Sequence, residues 1–228
     1  MKNNIQCPGN KHLACVVLVD SSGSMKEDPV RKSNPIGELN EGLRIFGETL
    51  NKDTYAKGVV DVCVINFNTK IQPIIPFSPA SDYVAPHLEA EGLTSMNGAI
   101  LAGLDALEQR KLEYKKVGVD YWRPWMFLMT DGTPTDTDRE AEARQRLQDA
   151  LDHNKLTFFP MGIGECADIK KLRSYTKNGS GMVFKAKEEY FKEVFVWLSK
   201  SLTIIGNSKA DTSQVPLPPV PDCIVVDV

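Results

Sequence analysis

The sequence predicts an α/β protein: a doubly wound, mostly parallel central sheet with one antiparallel edge strand. Three observations carry this. Residues 13–19, L-A-C-V-V-L-V, are a near-continuous apolar run, as expected of a strand covered on both faces. Further apolar runs at 59–67, 125–129 and 156–163 alternate with segments of helical periodicity. Finally, Asn68-Thr69 alone separates the strand at 59–67 from the one at 70–77, a hairpin-length connection that makes the pair antiparallel. Pro73 and Pro76 cannot donate ladder hydrogen bonds, which puts 70–77 at the sheet edge.

Each remaining element follows from its own signals. Ser33-Asn34-Pro35 reads as a helix start, with Pro at the first helical position. Ile36, Leu39, Leu43, Phe46 and Leu50 then recur at helical spacing and predict a helix over 35–51. Residues 80–94 look irregular. From Ser95 a second helix runs through Ile100, Leu101, Leu104 and Leu107 to about Tyr114. The strand at 125–129 ends in T-D-G-T-P-T-D-T-D, which leads into a charged helix over 137–153. A strand at 156–163, a short helix at 167–176, a short last strand at 182–184 and a final helix at 187–204 complete a domain spanning 1–205. The extension at 206–228 differs in kind. Pro216, Pro218, Pro219 and Pro221 favour an extended conformation and forbid a helix. Composition leaves it a linker, a strap packed on the domain, or a strand added to a sheet edge.

Composition narrows the function classes. The 228 residues are 42% hydrophobic and 25% charged, an ordinary globular balance. The formal net charge of −3 offers no polybasic field for nucleic acid or an anionic membrane, so neither partner is expected. No stretch approaches the roughly 20 apolar residues of a membrane helix, and the N-terminal residues lack an apolar signal core. Five cysteines, none in a C-x-x-C pair, fit a reducing cytoplasm, with Cys15 and Cys63 as small buried hydrophobes. The three histidines, His12, His87 and His153, are far apart and suggest neither a zinc site nor a base.

Polar residues cluster where an open α/β sheet binds ligands, beyond the carboxyl ends of its parallel strands. Asp20-Ser21-Ser22-Gly23-Ser24 follows the first strand, Gly92-Leu93-Thr94-Ser95-Met96 precedes the second long helix, and Thr130-Asp131-Gly132 follows the strand at 125–129. Together they offer two carboxylates, Asp20 and Asp131, and the hydroxyls of Ser22, Ser24 and Thr94. This all-oxygen set suits a hard cation, Mg²⁺ first, with Mn²⁺ and Ca²⁺ as alternatives. In an extended loop Asp20, Ser22 and Ser24 would face one point, and Gly23 would supply a conformation other residues resist.

D-S-S-G-S at 20–24, the lone Thr94 and T-D-G at 130–132 resemble the metal-ion-dependent adhesion site of von Willebrand factor A (VWA) domains, over roughly residues 11–204. More narrowly, G-L-T-S-M at 92–96 and Y-W-R-P-W-M-F-L-M-T-D-G-T-P-T-D at 121–136 resemble the TerY-like branch, the bacterial tellurium-resistance proteins. The resemblance implies a Rossmann-like fold and a non-enzymatic module that binds a protein partner through a metal. Ser22, Ser24 and Thr94 would be direct ligands, Asp20 and Asp131 direct or water-linked ones, and a position would stay open for an acidic side chain of the partner. It further implies a tellurium-resistance or stress-response setting, with kinase- or phosphatase-like proteins nearby. Asp136 matches the branch pattern too, but reads more simply as the N-cap of the helix starting near Thr137.

Rival chemistries fit less well. A haloacid-dehalogenase-like phosphatase needs an acid where Ser22 stands; no G-x-S-x-G elbow and no G-x-x-x-x-G-K-[ST] phosphate loop occurs. Gly162-Ile163-Gly164-Glu165-Cys166-Ala167 has the G-x-G-x-x-A form but follows the fifth strand, and reads as a tight strand-to-helix turn. Trp125 and Trp197 read as core, whereas Trp122 is a candidate for an exposed partner surface.

Overall fold

The computed structural model describes residues 5–30, 33–165, 167–208 and 217–227. In chain order they form β1 (Leu13–Asp20), α1 (Pro35–Lys52), α2 (Ala56–Val59), β2 (Val60–Phe67), β3 (Ile71–Pro79) and α3 (Met96–Val117). Then come β4 (Trp125–Thr130), α4 (Glu140–Asp152), β5 (Thr157–Ile163), α5 (Ile169–Arg173), β6 (Val183–Ala186), α6 (Phe191–Asn207) and β7 (Ile224–Asp227). The strands make one sheet in the order β3-β2-β1-β4-β5-β6-β7. β2, β1, β4, β5 and β6 run parallel, and β3 lies antiparallel at one edge as its prolines require.

The apolar run of β1 is buried at every position because helices cover both faces. Leu13, Cys15, Val17 and Val19 enter one core with α1 and α6, and Ala14, Val16 and Leu18 enter the other with α3 and α4. That alternation is the period of two of a strand. α1 starts as its sequence predicts: the Asn34 side chain accepts from the Gly37 amide at 3.0 Å and Pro35 takes the first helical position. α3 runs three residues beyond Tyr114, with Lys115 and Lys116 in its last turn where cations suit the helix dipole. The charged helix and the final helix are each entered through a 3₁₀ turn, at Thr137–Arg139 and Glu188–Tyr190.

Three expectations are revised. The strand at 182–184 is not the last, because residues of the extension form β7, antiparallel to β6 at the opposite edge from β3. Of the three readings left open for the extension, its described part takes the added strand: α6 ends at Asn207, and β7 belongs to the same sheet. Trp122 is not exposed: it retains 4% of its surface, with the Lys11 ammonium 3.5 Å above its ring. His12 is fully buried at the amino end of the sheet, 2.9 Å from Asp61, which also meets Arg110 at 3.0 Å and the Tyr114 hydroxyl. This buried polar cluster joins β2 to α3 at the end far from the loops described next.

Candidate metal centre

The carboxyl ends of β1 and β4 lie side by side, since the two strands pair in parallel register up to Val19–Met129. Asp20 and Thr130 are the last residues of their strands, and the Thr130 hydroxyl donates to Asp20 Oδ2 at 2.5 Å. The other oxygen, Oδ1, accepts from the Ser22 amide at 2.8 Å. Both bonds fix the rotamer of a carboxylate that is only 1% exposed. Behind it lie Met25, Leu39, Met129, Ile163 and Phe191. Burial against this apolar wall pushes the Asp20 carboxyl up to about 6, against the opposing pull of the Thr130 and Ser22 bonds; the nearby Asp131 charge adds to the rise. Asp131 is raised as well, again mainly by burial, and the Ser24 hydroxyl works against it.

Three side chains line up next to it. Ser24 Oγ donates to Asp131 Oδ1 at 2.9 Å and lies 3.0 Å from Ser22 Oγ. A hydroxyl has one proton, so the bond to Asp131 makes Ser22 the donor to Ser24. Lone pairs on both serines are left as acceptors. The route differs from the sequence expectation. Residues 23–25 form a 3₁₀ turn rather than an extended loop, and the turn is what folds Ser24 back toward Ser22. Gly23 has no left-handed φ; it is needed for close approach, because a Cβ there would sit 3.1 Å from the Gly92 carbonyl, to which its amide donates at 3.0 Å. Gly92 does carry the unusual conformation, with φ +72°, and a Cβ there would meet Thr69 Oγ1 at 2.2 Å.

Thr94 is presented from the opposite side. Its amide donates to Thr135 Oγ1 at 3.1 Å and its carbonyl accepts from the Thr135 amide at 2.9 Å. This clamp holds Thr94 beside Gly132, where an added Cβ would lie 3.6 Å from Thr94 Oγ1. Thr94 is 6% exposed, and its hydroxyl makes no hydrogen bond among the described residues. The segment after Asp131 is itself anchored by Asp136, which departs from its expected role. Asp136 makes no side-chain cap to its own helix. Its Oδ2 accepts from the Gly98 amide at 2.7 Å and its Oδ1 from the Asn97 amide at 3.2 Å, so it caps α3. Thr130, Thr135 and Asp136 are the residues that a reading of D-S-S-G-S, Thr94 and Asp131 alone passes over. Their signal is their place in the polar run T-D-G-T-P-T-D.

The structure thus brings Asp20, Ser22, Ser24 and Asp131 into one hydrogen-bonded group and sets Thr94 beside it. Among the described residues no three His, Cys, Asp or Glu side chains form a metal-binding group, and His87 and His153 are exposed on other elements. Two buried carboxylates of raised affinity for protons, next to hydroxyl lone pairs, form an oxygen set that a hard divalent cation satisfies. Gly164, with φ +80°, follows β5 at the same sheet edge and its amide donates to the Ala186 carbonyl of β6 at 2.8 Å; the turn its sequence predicts runs through Cys166, which lies outside the described residues.

No protein-family model matches the chain, and no curated protein matches it. Solved structures do. The vWF domain of the type V pili tip protein Mfa5 from Porphyromonas gingivalis superposes with a TM-score of 0.61 at 11% identity, over 90% of this chain and 99% of that one. The pilus adhesin SpaC from Lactobacillus rhamnosus GG gives 0.63 at 14%, over 88% of this chain and 32% of that one. Proximal thread matrix protein 1 from the mussel byssus, with a zinc-occupied MIDAS motif, gives 0.54 at 16%, over 85% of this chain. The chain spans about half the length of that mussel protein, 48%. At such identities the likeness is one of backbone architecture, and the architecture is that of the von Willebrand factor A domain.

Proposed function

We propose that the chain is a divalent-metal-dependent protein-binding module whose site is a metal-ion-dependent adhesion site. The observation that carries this reading is the Ser22–Ser24–Asp131 hydrogen-bond chain, which joins two loops 107 residues apart into one oxygen-rich edge. Ser22, Ser24 and Thr94 would hold the ion directly, and Asp20 and Asp131 directly or through water. Mg²⁺ is the preferred ion for such donors, with Mn²⁺ and Ca²⁺ as alternatives. A bound cation supplies one electrophilic position for an acidic oxygen of a protein partner. The protein's own part is to orient the donors: Thr130 and the Ser22 amide fix Asp20, and Thr135 fixes Thr94.

A binding role is favoured over catalysis because no histidine among the described residues lies at the site, and Asp20 is walled off by apolar side chains. The pili tip protein and the pilus adhesin among the structural neighbours fit that role. The finer setting rests on the sequence likeness at 92–96 and 121–136: a bacterial tellurium-resistance or stress-response system, alongside kinase- or phosphatase-like proteins; the cysteine usage adds a cytoplasmic location.

The test is a pull-down from the source cell's lysate with the purified chain, in Mg²⁺ and in EDTA, beside Asp131→Ala. The expected result is a partner held by the wild type in Mg²⁺ alone and missed by the variant. Capture that is equal in all three arms would move recognition off this site and leave the metal a structural role at most.

A further inference from the structure

A cavity with no part in the metal-site reading lies on the flank of the molecule, between α4 and α5. It has a volume of about 560 Å³. Its wall carries Arg144, Lys170 and Arg173 and, among the described residues, no carboxylate. Gln145, Tyr175 and Asn178 supply amide groups and an aromatic wall. Three cations converging in one concavity is unexpected for a chain of net charge −3.

The positive charge is only partly neutralised from outside the groove. Glu140 accepts twice from the Lys171 ammonium at 2.7 Å but lies 3.5 Å from Arg144, so most of the Arg144 fork stays open. Arg144 is also set over the Tyr175 ring, 5.8 Å from its centre, which orients the guanidinium along the wall. Lys170 and Gln145 have no side-chain partner among the described residues. At the far end the Asp227 carboxylate of β7 lies against Arg173 Nη2. That pair engages Arg173, and its Nε and Nη2 are buried, so the open cations of the groove are Arg144 and Lys170. The protein's own tail therefore already places a carboxylate at one lip of the groove.

We propose that this groove binds an anionic segment of a protein partner, phosphorylated or rich in carboxylates, separately from the metal centre. Arginine forks match the paired oxygens of phosphate and carboxylate alike, and open side-chain amides pair with a peptide backbone. The volume exceeds that of a lone oxyanion and leaves room for flanking residues. The net negative charge of the chain argues against a nucleic acid there.

The test is an amide-NMR titration of the full chain in EDTA, which keeps the metal centre out of the experiment. The probes are a Gly-flanked phosphoserine pentapeptide, a Gly-flanked Glu-Glu pentapeptide, a neutral Ser control and a short single-stranded oligonucleotide. Saturable binding of an anionic peptide is expected, with shifts confined to residues 144–148 and 170–179, and none with the control. The phosphoserine and Glu-Glu arms tell which oxyanion is the source. The variant Arg144→Gln/Lys170→Gln changes two exposed side chains, so folding is preserved; it should weaken binding by about tenfold or more, the loss of one or two charge-assisted hydrogen bonds. No saturable binding at millimolar peptide, equal binding to the variant, or shifts clustered elsewhere would overturn the proposal. So would tighter binding of a single-stranded oligonucleotide in the same groove.

Discussion

At the residue scale, the candidate metal centre is a place where burial works against charge. Asp20 is 1% exposed, yet at neutral pH it must be ionised to serve a cation. Burial raises its carboxyl from the ordinary 3.8 to about 6. The folded state therefore holds this proton more tightly than the unfolded chain. Without metal, the contribution of Asp20 to stability falls as pH rises from about 4 through 6, and the full penalty is present above 6. It is on the order of 2–3 kcal/mol. Asp131 adds in the same direction. Thermal melts in EDTA should show the wild type gaining stability on acidification from pH 7.5 to pH 5, and Asp20→Asn should flatten that slope. The variant should match or exceed the wild type at pH 7.5 in EDTA and fall below it in saturating Mg²⁺. Parallel pH profiles for the two proteins would sink this account. That these oxygen side chains gather at one sheet edge was legible in D-S-S-G-S, Thr94 and T-D-G. Their mutual arrangement was not: the 3₁₀ turn at 23–25 and the close approach of Gly23 to Gly92 depend on a loop almost 70 residues away.

At the element scale, the site is held by the start of α3. Thr94 and Ser95 lead into this 22-residue helix, and the first amides of the helix are capped from another loop. The Asp136 oxygens take the Asn97 and Gly98 amides, and Asn97 Oδ1 accepts in turn from the Tyr175 hydroxyl at 2.5 Å. Local reasoning assigned Asp136 to the helix beginning one residue later, since an Asp before a charged helix is the usual N-cap. The long-range role won because the chain must turn there to bring Thr135 onto Thr94, which points the carboxylate at α3 instead. Replacing Asp136 by Ala should cost about 1–2 kcal/mol, the usual loss for a cap. For a protein of this size that is roughly 2–4 °C of melting temperature for each kcal/mol. The same substitution should also weaken Mg²⁺ binding in calorimetry, though every donor is intact, because Thr94 loses its anchor. An unchanged melt together with an unchanged Mg²⁺ isotherm would mean that Thr135 alone positions Thr94.

At the scale of the whole molecule, the sheet is completed from its C-terminal extension. The alternation of apolar runs and helical stripes made the parallel core readable, because each strand carries its burial in its own residues. The docking of I-V-V-D at 224–227 was not readable, since a four-residue strand is defined by the edge it meets. That edge is β6, paired at Val183–Asp227 through Ala186–Ile224. The approach to it is fixed by Trp197, whose indole N–H donates to the Pro218 carbonyl at 3.1 Å. Leu217, Val220, Cys223 and Val226 pack on the core of α1 and α6, and Ile224 is 5% exposed. Full burial of one such side chain contributes about 1.5–3 kcal/mol, so the strand and its approach together stabilise the fold by more than any single residue of the metal centre. Truncation after Ser208 should therefore lower the melting temperature markedly and shift Trp197 emission to the red. It should also make the protein associate with rising concentration, because β6 becomes an open edge. A synthetic peptide of residues 217–228 added in trans should reverse all three effects by restoring the missing strand. If the truncated chain instead melts at the wild-type temperature and stays monomeric in sedimentation, the extension is an appendage and the sheet is self-sufficient at β6. If it destabilises the protein but the peptide does not rescue it, the effect comes from the covalent tether rather than from strand pairing.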